Sequence, residues 1–321
     1  MSSIVSTPAS GRPSISVAVP VYKCCGCLEQ LCIRLDRVLK TLTDRYEIIL
    51  VDDRSPDKAW EMIRSLQAAH PALRGIRLSR NFGQQVAITA GIAAAKGDLV
   101  VVMDCDLQDP PEMIVDLYEK LHEGYDLVVS RRIQRAHSPF RVLAAKAYFA
   151  LLGRLSKERI DGSYGSFSLL TRKVVDAYLR FSERERHYIF VLRWLGFRMG
   201  SIDYEHRERA AGKSSYSLGA LIRHAFDGIF FQSTALLRAI VALGLLFALA
   251  GMILAAYLIA RQILVGSVPG WTSLAVLILT STGVILVSLG VVGLYIGKIF
   301  DQVKARPLYI IDTESERTDG W

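Results

Sequence analysis

Several familiar signatures are missing from this 321-residue chain. The first strand-to-helix turn reads PVYKCCG (20–26) and lacks the G-x-G-x-x-G that lets a dinucleotide pyrophosphate approach the backbone. No P-loop occurs. No nucleic-acid recognition motif occurs either, and the basic residues are scattered, so a nucleic-acid partner is not expected. Five cysteines are present, yet no C-x₂-C…C-x₂-C pattern exists and no histidine lies near KCCGC (23–27). Zinc is therefore disfavoured there, and Cys24, Cys25, Cys27 and Cys32 read as thiols of a reducing compartment. Internal repeats and low-complexity tracts are absent. The N-terminus, MSSIVSTPASGRPS, has no apolar leader core, so the charged part of the chain is expected to stay cytoplasmic.

Charge is also lacking in two long stretches. Residues 235–260, ALLRAIVALGLLFALAGMILAAYLIA, carry only Arg238. Residues 271–297, WTSLAVLILTSTGVILVSLGVVGLYIG, carry no charge at all. Each exceeds the ~20 residues a helix needs to cross a hydrocarbon core of ~30 Å. Two membrane spans are the expectation. Arg223, Arg238, Lys298, Lys304 and Arg306 flank them on one side, against Arg261 alone in the connecting loop. The positive-inside bias then predicts an inner-membrane protein with both termini in the cytoplasm. Segment 214–233 has apolar residues at helical spacing and leads into the first span, so an interfacial amphipathic helix is expected. The formal charge of +8 suits anionic lipid head groups and an anionic substrate.

The first ~230 residues read as soluble α/β protein. Val/Ile-rich runs at 14–20, 47–53, 74–79, 98–104 and 126–132 predict buried strands. Helical segments at 28–42, 58–70 and 84–96 alternate with them, so a mostly parallel sheet with crossover helices is expected. Both ends, about 1–13 and 313–321, read as loose. Ligands of such sheets gather at the carboxyl ends of the strands. There stand Pro20 and Tyr22, Asp52 and Asp53, Asn81 and Gln84, then Asp104, Asp106 and Gln108.

Clustered carboxylates repel one another unless a cation is present. An EF-hand would need Gly and Glu where Asp109 and Val115 stand. D-x-D-x-Q at 104–108 offers hard oxygen ligands with open positions, which suits Mg²⁺ or Mn²⁺ shared with substrate phosphates. The competing reading is a solvated turn. Asp109 before Pro110 and Pro111 reads as a helix cap. His187 and His206 read as surface or packing residues.

VAVPVY, ILVDDRSPD, LSRNFGQQVAITAGIAAAKGD, VVMDCDLQDPPE, SFSLLTRKVVD, WLGFR and GLYIGKIFDQVKARPLYII, in that order, resemble the polyprenyl-phosphate glycosyltransferases of glycosyltransferase family 2 over residues ~14–311. The resemblance implies a GT-A catalytic domain (14–213), the interfacial helix (214–233), two transmembrane helices (234–300) and a cytoplasmic tail (301–321). It also implies a nucleotide-sugar donor, a divalent metal and a polyprenyl-phosphate acceptor. Carried over, Pro20, Tyr22, Val51 and Asp53 line the donor-base pocket, with Cys105 touching the donor through its backbone. Asp53 accepts from a ring N–H, whereas Asp52 reads equally well as a buried, hydrogen-bonded turn carboxylate. Asp104, Asp106 and Gln108 hold the metal. Arg131, Arg209 and Lys213 bind phosphate, or Arg131 is a surface charge beside Arg132.

Three departures stand out. Cys24 replaces a common Glu. R-x-x-G-x-S-K appears as RAAGKSS, with Ser215 for Lys and Lys213 close by. D-x-G-D-F appears as SYGSF, so Ser163 and Ser166 stand where carboxylates are common, and Asp161 is the nearest candidate base. A phosphate monoester acceptor is already mostly a dianion at neutral pH, so direct inverting displacement needs no base. Glucose, as UDP-glucose, is the first choice of sugar, before mannose or an N-acetylhexosamine. Oligomeric state is left open, a homo-oligomer included. Two rivals remain: a processive polysaccharide synthase, for which Arg193-Trp194 lacks the matching Gln at Phe190, and a membrane-tethered scaffold without catalysis.

Overall fold

The computed structural model describes residues 12–133, 164–181, 183, 186–205, single positions between 240 and 264, and 270–315. The chain divides into two compact units. One comprises 1–142, 161–215 and 307–321; the other comprises 143–160 and 216–306.

The first unit is built on an eight-stranded sheet. Its strands are β1 (Ile15–Val21), β2 (Tyr46–Asp52), β3 (Leu73–Leu78), β4 (Leu99–Val102), β5 (Leu127–Ile133), β6 (Tyr164–Thr171), β7 (Met199–Glu205) and β8 (Ile311–Glu314). Their order is β7-β5-β6-β4-β1-β2-β3-β8. The four strands β3-β2-β1-β4 run parallel. β1, β2 and β4 are buried on both faces and are accordingly rich in apolar residues, whereas β3, LRGIRL, keeps Arg74 and Arg77 half-buried. β6 runs antiparallel to both β4 and β5.

Helices cover both faces. One face packs against α1 (Leu28–Leu42), α2 (Ala59–Ala69) and α4 (Met113–Leu121) through Leu31, Leu35, Ile63 and Leu117. The other packs against α3 (Gln84–Ala94), α5 (Arg172–Leu179) and α6 (Tyr188–Trp194) through Ile88, Val175 and Leu192. α3 lies close to the sheet: a Cβ on Gly91 would meet the Ala18 Cβ at 2.9 Å and Val51 Cγ2 at 3.3 Å.

Two expectations are corrected here. Residues 313–315 are not loose. β8 pairs antiparallel with β3, Arg74 binds Glu314, and the Gly75 N–H donates to Ser315 Oγ at 2.8 Å. Asp109 does not cap α4. It is buried and accepts the Tyr204 hydroxyl, while Glu112 occupies the cap position without a side-chain cap bond.

In the second unit, residues 271–303 form one helix, α7 (Trp271–Val303), 33 residues long. At 1.5 Å per residue that is about 50 Å. Leu274, Ile285, Leu289 and Ile299 on it are exposed. The expected first span lies mostly outside the described residues, and over the described residues alone no helix is long and apolar enough to cross a membrane. The expected interfacial helix at 214–233 also lies outside them.

Candidate active site

Pro20 and Val51 are paired neighbours on β1 and β2, and Tyr22, 44% exposed, follows the end of β1. The loops behind these strands are stitched together. The Lys23 N–H donates to Ser55 Oγ at 2.7 Å, and the Cys25 N–H donates to Asp57 Oδ2 at 3.0 Å. Ser55 Oγ in turn donates to Asp57 Oδ1 at 2.6 Å. Lys23 and Arg54 take left-handed backbone (φ 55° and 53°), a cost of roughly 1–2 kcal/mol each that these bonds offset. Ser55 and Asp57 were not singled out from the sequence; the S-P-D turn chemistry between strand and helix was the available signal.

Asp52 is buried. Its Oδ1 accepts the Ser55 N–H at 2.9 Å. Its Oδ2 lies 3.2 Å from Arg77 Nε, an ion contact whose geometry is not that of a hydrogen bond. Asp53 is also buried, and its two oxygens accept the N–H groups of Phe82 (2.7 Å) and Gly83 (2.9 Å). Gly83 has φ +96°, a backbone that strains any other residue, and it precedes α3. Asp53 thus fixes where α3 begins. Burial raises both carboxyls above the ordinary aspartate range; the backbone bonds, with Arg77 for Asp52 and Arg80 for Asp53, oppose it.

The acidic loop follows β4. From Met103 to Asp109 burial alternates strictly: Met103, Cys105, Leu107 and Asp109 are buried, while Asp104, Asp106 and Gln108 are half-buried. The expected metal ligands therefore share the accessible side. Leu107 is left-handed (φ 61°), and its buried side chain anchors that turn in the core. The Gln108 N–H donates to Asp106 Oδ1 at 3.2 Å. Cys24 Sγ donates to the Cys105 carbonyl at 3.2 Å, tying the loop to the turn after β1. Asp104 Oδ1 accepts from Gln84 Nε2 at 2.8 Å and Ser166 Oγ at 3.0 Å. Ser166 reaches it by register: β4 and β6 pair antiparallel with Val102 opposite Ser168, and two further steps bring Asp104 opposite Ser166.

Among the described residues no three His, Cys, Asp or Glu side chains form a metal cluster. Two carboxylates and an amide oxygen instead fit a hard cation that completes its shell with diphosphate and water. All five cysteines are free. Burial pushes Cys27 and Cys32 up to about 12, and the Cys105 contact followed by burial raises Cys24. Their burial disfavours the thiolate form.

Arg131, at the carboxyl end of β5, donates from Nε and Nη2 to Asp203 Oδ1 (2.5 Å) and Oδ2 (2.6 Å) on β7. Asp161, Ser163, Arg209, Lys213, Ser215 and His206 lie outside the described residues. The His187 ring packs on Phe190, 4.4 Å between centroids.

Residues 16–179, about half of the chain, match the family model described as Glycosyl transferase family 2. The chain belongs to glycosyl transferase family 2. An uncharacterized glycosyltransferase of Synechocystis sp. is 38% identical over 299 residues, covering 92% of this chain and 94% of that protein. An undecaprenyl-phosphate 4-deoxy-4-formamido-L-arabinose transferase of Photorhabdus laumondii is 36% identical over 305 residues, with 92% and 93% covered. The fold resembles that of glucosyl-3-phosphoglycerate synthase from Mycobacterium tuberculosis, solved with phosphoglyceric acid, at TM-score 0.50 and 21% identity over 69% of this chain and 80% of that one. This family 2 member is a glycosyltransferase of GT-A-like α/β fold, and its mostly parallel sheet is as the Val/Ile runs led one to expect.

Proposed function

We propose that this glycosyltransferase transfers a sugar, glucose before others, from a nucleotide sugar to a polyprenyl phosphate at the cytoplasmic face of the inner membrane. The observation that carries the proposal is the alternation along 103–109, which presents Asp104, Asp106 and Gln108 together at the carboxyl end of the sheet. Full-length relatives named as undecaprenyl-phosphate sugar transferases support the acceptor class. The two apolar stretches support membrane attachment: residues 14–213 catalytic, 214–233 interfacial, 234–300 spanning, and 301–321 returning to the cytoplasm.

Asp104, Asp106 and Gln108 would hold Mg²⁺ or Mn²⁺, which supplies charge stabilisation at the departing diphosphate. Pro20, Tyr22 and Val51 would line the base pocket. Asp53 would serve it by holding the Phe82–Gly83 turn, and Cys105 would meet the donor through its backbone. Gln84 and Ser166 orient Asp104. Arg131, Arg209 and Lys213 would bind phosphate, the role for which a planar cationic fork is best suited in arginine. The acceptor oxygen attacks as a dianion and displaces the nucleotide diphosphate in one step. The anomeric centre inverts, giving a β-linked product from an α-linked donor. Alignment of the two substrates supplies much of the rate.

The deciding experiment incubates the purified full-length protein with undecaprenyl phosphate and a panel of nucleotide sugars, with mass analysis of the extracted lipid. A glycosylated lipid phosphate in the UDP-glucose sample is the expected result. No lipid product from any donor would overturn the acceptor assignment, and product only from another donor would replace glucose.

A further inference from the structure

We infer that Asp203 is a positioning residue for the acceptor phosphate, acting through Arg131; this rests on the acceptor reading above. β5 and β7 are parallel, and Arg131 and Asp203 are register partners at the strand ends nearest the site. The two residues meet through a two-point carboxylate–guanidinium contact at 2.5 and 2.6 Å. Both are 42% exposed, so the pair adds little to stability. Its consequence is geometric. A lone arginine holds about 2 kcal/mol of rotamer entropy, and a planar fork already docked on one edge has less to lose when an anion arrives.

The surroundings make the position specific. Arg131 follows Ser130, which is fully buried, and pairs with Tyr164 on β6 just past the irregular step from Val129 and Ser168. Irregularities of this kind re-aim side chains beside sites. With strands about 4.8 Å apart, Arg131 stands two strand spacings, roughly 10 Å, from β4. A donor diphosphate at the acidic loop and an attacking phosphate at Arg131 would then sit over different strands, with the sugar between them. Asp203 uses Nε and Nη2 and so fixes the plane of the guanidinium.

The test measures binding of farnesyl monophosphate to the full-length protein in detergent, with inorganic phosphate as the chain-free control and UDP with Mg²⁺ as the donor-side readout. Asp203→Asn should weaken farnesyl phosphate about 10-fold or more and leave UDP affinity within about twofold. Asp203→Glu should restore part of the loss. Arg131→Ala should weaken it at least as much, and the double variant should be no worse than Arg131→Ala alone, because coupled residues are non-additive. Inorganic phosphate should bind more weakly but show the same ranking. If Arg131→Ala weakens farnesyl phosphate and Asp203→Asn does not, or tightens it, the positioning role is wrong while the acceptor reading stands. If Arg131→Ala changes nothing, the acceptor reading falls as well. Equal losses of farnesyl phosphate and UDP in Asp203→Asn would mark a purely structural residue.

Discussion

Two acidic pairs stand at the same end of one sheet. Asp52 ends β2, Asp53 follows it, and they are 0% and 2% exposed; Asp104 and Asp106 follow β4 and are half-buried. The first pair takes backbone N–H groups and an arginine. In the second, Asp104 takes side-chain donors from Gln84 and Ser166. Both look alike in sequence, as carboxylates behind a Val/Ile run. Spacing separates them. In D-x-D the loop after β4 leaves the two aspartates on the accessible side, and the residue between them, Cys105, is buried as an anchor. In D-D the chain must turn at once, and both carboxylates become fasteners of that turn.

The largest effect should come from breaking the open pair. Asp106→Ala is expected to abolish transfer while melting temperature stays close to wild type, since a half-buried loop carboxylate contributes little packing. Chelation of the wild type should do the same, reversed by Mg²⁺ or Mn²⁺. Undiminished turnover in excess chelator would remove the metal from the mechanism. The sealed pair should behave in the opposite way. Asp53→Ala leaves the partly buried N–H groups of Phe82 and Gly83 without their acceptor, at about 1 kcal/mol each, the low end for such groups, so its melting midpoint should fall by several degrees. A normal melt with activity lost would make Asp53 a donor contact rather than a fastener.

The contrast also shows what could be read in advance. β1, β2 and β4 were legible because buried parallel strands are largely apolar runs with turn residues behind them. β6, β7 and β8 owe their place to long-range pairing, and β8 is exposed along its length with the sequence IDTE, so nothing local marks it. The D-x-D-x-Q set is marked in sequence by residue type and strand-end position, whereas Arg131 is marked only by the family resemblance. Asp203, Ser55 and Asp57 were not legible: each matters through one partner that only the folded chain supplies. Asp109 misled because a proline pair after an aspartate usually marks a helix start, whereas here Tyr204 from β7 claims the carboxylate.

A smaller effect tests the serine substitutions. If the acceptor dianion attacks unaided, Asp161→Asn should lower kcat by less than about tenfold, short of the ~10²–10⁴ typical of a lost general base. Arg131→Ala should cost more. The rate should rise through pH ~6 with acceptor ionisation and then level. Near-complete loss in Asp161→Asn with Arg131→Ala still active would instead make Asp161 the base.

The smallest effect distinguishes buried from exposed aspartates by sign. Asp98, at the opposite end of the sheet, accepts from the Ser14 hydroxyl at 2.6 Å and the Ser14 N–H at 2.9 Å, and these bonds lower its pKa. The folded state then holds its proton less readily than the unfolded chain. The stability from Asp98 is present above the ordinary aspartate value of about 4 and is lost as pH falls through its depressed folded value. Asp98 is exposed, so a few tenths of a kcal/mol is the scale. Asp52 and Asp53 are raised by burial, and the slope reverses. Between about 4 and their higher folded values, the native state holds more protons, so stability falls as pH rises through that window. Melting midpoints of the full-length protein across pH 3–6 should therefore lose part of their acid-side drop in Asp98→Asn. In Asp52→Asn the decline with rising pH should flatten instead, on top of a lower midpoint from the weakened Arg77 contact. Identical pH profiles for the two variants would mean that the two ends of the sheet do not differ in how they hold their carboxylates.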